Sequence, residues 1–156
     1  MLATTRPTSW DFPLFLHVLG ATVLVGGLLV AVTFQFLAWR KRDPADVATS
    51  TRAAFWALLA VAFPGYIVMR IGAQWIYSKE GWSGDNDPAW LGIGFLTADL
   101  GGILLLLTII LAGVGARRLR RSGGTPSLLN RIAMPLATVL LIAYVVAVWA
   151  MTTKPN

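Results

Sequence analysis

The chain holds 156 residues, 56% of them hydrophobic and 13% charged, with a formal net charge of +6, one histidine and no cysteine. A soluble domain carries roughly a quarter charged residues, so this composition excludes an ordinary water-soluble globule and points to lipid as the main solvent. The missing cysteines exclude disulfides, thiolate metal sites and thiol nucleophiles, and the basic residues, gathered in short segments between apolar runs, read as orientation signals and not as a nucleic-acid face.

The first apolar stretch runs from Phe12 to Trp39. It is longer than the ~7–15 residues of a signal-peptide core. It has only Arg6 ahead of it and meets Trp39-Arg40-Lys41-Arg42 where a cleavage site would stand, so it is read as a retained span. The second stretch covers residues 53–77, the third 90–116 and the fourth 132–151. Each reaches the ~20 residues a helix needs to cross about 30 Å of hydrocarbon, and none has the polar face of a soluble helix. The expectation is a single transmembrane domain over residues 1–156, an all-α four-helix bundle.

Lysine and arginine set its orientation. Arg40, Lys41, Arg42 and Arg52 lie between the first two spans, and Arg117, Arg118, Arg120, Arg121 and Arg131 between the last two. The other side has Arg6, Lys79 and Lys154. The positive-inside rule puts both basic loops in the cytoplasm and both termini outside. The segment from Ser78 to Ala89, with Glu80, Asp85 and Asp87, then faces out, and Trp10, Trp75, Trp82 and Trp90 mark that boundary as an aromatic belt. Each half of the chain repeats one plan of span, basic loop and span, which is compatible with a pseudo-twofold axis relating two helical hairpins.

Ionisable groups at membrane depth cost roughly 2.5–3.5 kcal/mol each on insertion scales and each needs a reason. His17, Arg70 and Asp99 are the candidates. Counted from the outer ends of their helices they lie about 8, 10 and 13 Å deep, and Tyr144 joins them at about 10 Å. In the second span Tyr66, Arg70, Gln74 and Tyr77 recur at helical spacing on one face, which should look into the bundle and not at lipid. Pro64-Gly65 just before is a kink signal. Small residues beside the polar ones, Gly20, Ala98, Gly101 and Gly102, permit close helix approach. The layer His17, Arg70, Gln74, Asp99 and Tyr144 is therefore a candidate ligand site opening outward. Its bland counterpart is a structural ion pair between Arg70 and Asp99, a hydrogen-bonded core histidine and glycine packing seams.

The opening Leu16-His17-Val18-Leu19-Gly20-Ala21 with Val25-Gly26-Gly27-Leu28-Leu29, together with Phe63-Pro64-Gly65, Trp82 and Trp90, resembles an uncharacterised bacterial family of four-span integral membrane proteins. That family is itself similar to the membrane domain of copper-resistance D proteins. The resemblance implies a bacterial inner-membrane location, makes His17 the membrane histidine, and raises copper or haem as cofactors. A Cu(I) site would draw on His17 and Met69, since soft ligands select Cu(I). Two-histidine haem ligation would need His17 from two protomers, and a three-ligand zinc site has too few ligands.

Two functions from different classes follow. One is binding or transport of a small ligand or ion at the outward polar layer, where His17 can exchange protons near neutral pH. The other is an accessory subunit of a larger membrane complex, with the polar layer setting helix register. The expected partners are the lipid bilayer and, in the second case, other membrane subunits or a second copy, with no nucleic acid. An enzyme is the weakest reading: Ser9, Ser78 and Ser83 sit at the interface or in loops, with no second histidine to form a nucleophile–base set.

Overall fold

A computed structural model describes residues 8–80, 89–122 and 128–153. Arg6, Trp82, Ser83, Asp85, Asp87 and Lys154, named above, lie outside these described residues. After a 3-10 turn at Thr8–Trp10, helix α1 spans Asp11–Arg40. Asp11 in its first turn and Arg40 in its last both complement the helix dipole. Helix α2, Pro44–Ala57, starts on a full set of local signals: the Asp43 carboxylate accepts from the Ala45 and Asp46 amides at 2.8 and 3.3 Å, and Pro44 opens the first turn.

The chain does not stop at Ala57. A π turn, Leu58–Ala62, carries it straight into α3, Phe63–Glu80. In that turn the Phe63 amide reaches back to the Leu58 carbonyl, one residue further than in an α-helix. Pro64 follows immediately and has no amide hydrogen to give. A wide turn just ahead of a proline takes up the break that the ring would otherwise force on a regular helix. Helix α4, Ala89–Arg121, and α5, Leu128–Thr153, complete the fold, with Pro135 inside α5.

Four segments, Thr8–Arg40, Pro44–Glu80, Trp90–Arg121 and Leu128–Thr153, are long and apolar enough to cross a membrane. The fold is an all-α four-helix transmembrane bundle. Its helices overrun the apolar stretches: the second begins at Pro44 and not at residue 53, because α2 buries only one stripe, Val47, Ser50, Thr51 and Ala54, and leaves Asp46 and Arg52 exposed.

Leu24, Leu28, Leu58, Leu105 and Leu140 fill the centre, with alanines Ala31, Ala62, Ala112 and Ala133 where helices come close. Large apolar residues such as Leu96, Ile103, Val139 and Ile142 point outward, as a lipid-facing wall requires. Helix α1 packs on α2, α3 and α5, and α4 packs on α5 and α2, but α3 and α4 barely meet. The π turn is where the second span leaves α4 and stays with α1. The bundle is thus closed at the end that carries Arg40, Arg52 and Arg121, and opens toward the end that carries Trp10, Glu80 and Trp90.

Candidate functional site

The divergence of α3 from α4 leaves a cavity of about 750 Å³ among the four spans, toward the Trp10 end. Its walls are mostly aliphatic and aromatic. Polar side chains enter from every span, among them His17 from α1, Arg70 from α3, Thr97 from α4 and Tyr144 from α5. Met69 also lines it, as do Tyr77, Glu80, Trp90 and Phe95.

His17 is positioned by its own hydrogen bond. Nδ1 lies 3.1 Å from the Met69 carbonyl oxygen. A carbonyl can only accept, so Nδ1 carries the hydrogen, and Nε2 is left as the ring nitrogen free of this bond. Gly72 makes this approach possible, because a Cβ there would stand 2.5 Å from the His17 amide nitrogen.

Arg70 reaches from the cavity wall to the flank of the bundle. Its Nη2 donates to Asp99 Oδ1, and its guanidinium lies over the Phe95 ring at 5.4 Å, a cation–π arrangement. Nη1 is buried and has no hydrogen-bond partner among the described residues. Phe95 in turn meets Tyr77 edge-on at 5.0 Å. Tyr144 is only 3% exposed, yet its hydroxyl, seated against Gly101, also has no partner among the described residues. A buried hydroxyl or guanidinium nitrogen left unpaired costs about 1–3 kcal/mol, and here two such atoms belong to residues that line one cavity.

Two of the five residues expected to line the site do not. Asp99 is 59% exposed and lies outside the wall, meeting Arg70 from the α3–α4 flank. Gln74 is exposed and is no part of the wall either. The helical period accounts for it: at about 100° per residue, Gln74 is turned about 80° from Tyr66, whereas Tyr77 returns to within about 20°. His17, Arg70 and Tyr144 line the same cavity, with Met69 beside them.

Residues not singled out for the site complete it. The Tyr66 hydroxyl donates to the Ala98 carbonyl at 3.1 Å and packs against Gly102, tying α3 to α4 next to the ion pair. Trp10 and Trp90, read as belt residues, also line the cavity, and so does Glu80 at the end of α3. Phe95 carried no signal beyond its spacing four residues before Asp99. Among the described residues no group of three His, Asp or Glu lies close enough to hold a metal ion. His17 and Met69 are a donor pair short of a closed copper site, and one imidazole offers haem a single axial bond.

Residues 13–155 match the model of a family described as "Predicted integral membrane protein (DUF2269)". No curated protein and no solved structure gives a match.

Proposed function

The chain belongs to that DUF2269 family of integral membrane proteins, and from this premise we propose that it binds a small amphipathic molecule in the cavity between its four spans. The observation that carries the reading is that two residues lining one largely apolar cavity, Arg70 and Tyr144, each hold a buried polar atom, Nη1 and Oη, with no partner among the described residues. A volume of about 750 Å³ falls within the ~300–1,000 Å³ of small-molecule sites, which join apolar walls to a few placed polar groups. His17, Arg70 and Tyr144 are the binding residues in this reading. Met69 contributes a soft contact, and Asp99 acts on the ligand only through Arg70. The two basic loops face the cytoplasm of a bacterial inner membrane, so the cavity lies toward the outside.

Native mass spectrometry of the protein extracted in mild detergent tests it. Wild type should carry a bound small molecule that is lost from folded Arg70→Met and Tyr144→Phe variants. A bare spectrum for all three would sink the ligand reading. Metal analysis of the same wild-type sample addresses copper: stoichiometric metal lost on His17→Ala would assign the ion to His17 and Met69.

A second reading rests on a different observation. Asp99 exposes most of its carboxylate on the flank of α4, beside the exposed Leu96, Leu100 and Ile103. A charged group on a lipid-facing flank is costly, and a neighbouring membrane subunit with a hydrogen-bond donor would satisfy it. Crosslinking from Leu100→Cys in native membranes distinguishes this accessory role: a specific partner band supports it, and only lipid adducts oppose it.

A further inference from the structure

Resting on the cavity reading, we propose that its ligand is an electrically neutral quinone-type ring, a benzoquinone or its hydroquinone carrying an apolar tail. Charge is the first argument. Among the described residues the wall holds one permanent cation, Arg70, and it already has its counter-ion in Asp99, outside the wall. A second anion would have to compete with that carboxylate and would meet Glu80 in the same wall. A cation would meet Arg70. A neutral ligand avoids both conflicts, and in a low-dielectric site such conflicts are severe.

Hydrogen-bond capacity is the second argument. The wall residues bring a donor at Arg70 Nη1 and a hydroxyl at Tyr144 that can donate or accept, both without a partner among the described residues and within reach of a ligand by a small side-chain turn, and at His17 a second ring nitrogen, Nε2, that accepts in the neutral ring. A quinone oxygen accepts from Arg70 or Tyr144, and a hydroquinone hydroxyl can also donate to the imidazole. A simple alkane or sterol body could use at most one of these groups. Shape is the third. Aromatic side chains from three elements, Trp10, Tyr77, Trp90 and Phe95, bound the same space, and flat π faces suit a flat ring. Aliphatic walls from Leu14, Val18 and Val25 fit the tail.

The test is calorimetric titration of the detergent-solubilised full chain with decylubiquinone, with its reduced form, and with dodecanoate as an anionic amphiphile. Wild type should bind the quinone or quinol saturably at one site. Tyr144→Phe and His17→Phe should each weaken that binding about tenfold, the scale of one well-made hydrogen bond. Gly26→Ala, which lies away from the cavity wall, should leave it unchanged. Thermal unfolding of each variant separates lost binding from lost fold, and Tyr144→Phe removes only one oxygen should His17→Phe fail to fold. If dodecanoate binds as tightly as the quinone, the neutral-ring class is overturned while the cavity reading survives. If no probe saturates, or if every variant takes up quinone like wild type, the ligand class and the cavity reading fall together.

Discussion

The two sides of α3 use glycine in opposite ways. Toward α1, glycines bring backbone against backbone: Gly20 faces the Met69 amide, a Cβ on Gly27 would stand 2.6 Å from the Ala62 nitrogen, and one on Gly65 would stand 2.6 Å from that of Leu24. These positions repeat every seven residues, Gly20 with Gly27 and Gly65 with Gly72, so one continuous seam runs the length of the contact. Toward α4, a glycine receives the tip of a side chain: Gly102 of α4 takes the hydroxyl end of Tyr66. In the first seam the nearest atoms are backbone, which cannot rotate aside. The second is bridged by the rotatable tip of Tyr66 and one ion pair, and the cavity opens beside it. A small membrane bundle can thus keep one pair of helices rigid while leaving room for a ligand beside the other pair.

The largest effect should come from the rigid side. Gly20→Ala puts a methyl into the Met69 backbone, where nothing can rotate away. We expect a loss of about 3 kcal/mol, the upper range of overpacking, read as the shift of the SDS-unfolding midpoint. A variant as stable as wild type would mean the α1–α3 seam is looser than described.

Next comes the bridge across the open side. Arg70→Met or Asp99→Leu alone leaves the partner charge unanswered in an apolar setting and should cost about 2–3 kcal/mol. The double variant should cost clearly less than the two losses combined. Strict additivity in that cycle would show that the pair does not hold α3 to α4.

Tyr144→Phe should move in the other direction. Removing a hydroxyl with no partner relieves a buried unpaired group, so the ligand-free protein should gain about 1 kcal/mol even as ligand binding falls. A purely structural tyrosine would lose stability instead. The smallest effect belongs to Gly26→Ala. Nothing lies within 4 Å of a Cβ there, so stability should change by less than about 1 kcal/mol, toward a gain from helix propensity. Any large loss would mean that the outer face of α1 is covered.

The four spans were readable because a helix that faces lipid has to be apolar almost all round, and runs such as residues 132–151 leave no other interpretation. The start of the second helix was missed because α2 is polar on most of its surface, although Asp43-Pro44 is a cap signal that could have marked it. Matching depths pointed to Arg70 and Asp99 as partners. Depth carries no information about rotation, however, so Asp99 on the flank and Gln74 outside the wall were not distinguishable from lining residues. Tyr66 went unassigned because its acceptor is the Ala98 backbone carbonyl, a partner without a side-chain signature. The heptad glycine seam was present as spacing, but which of Gly26 and Gly27 faced α3 had to await the packing.

The π turn at Leu58–Ala62 holds one residue more than the helix around it needs. Seen as a count of codons, the second span is a helix with a single-residue insertion, and everything beyond is displaced by that insertion. Deleting one residue there would rewind α3 by about 100° and draw it back by about 1.5 Å. Arg70 would turn away from both Asp99 and the cavity, and Gly65 and Gly72 would leave their seam with α1. The candidate site and the rigid seam therefore share one register, set by a single residue in a stretch, Leu58-Leu59-Ala60-Val61-Ala62, that has no polar side chain of its own.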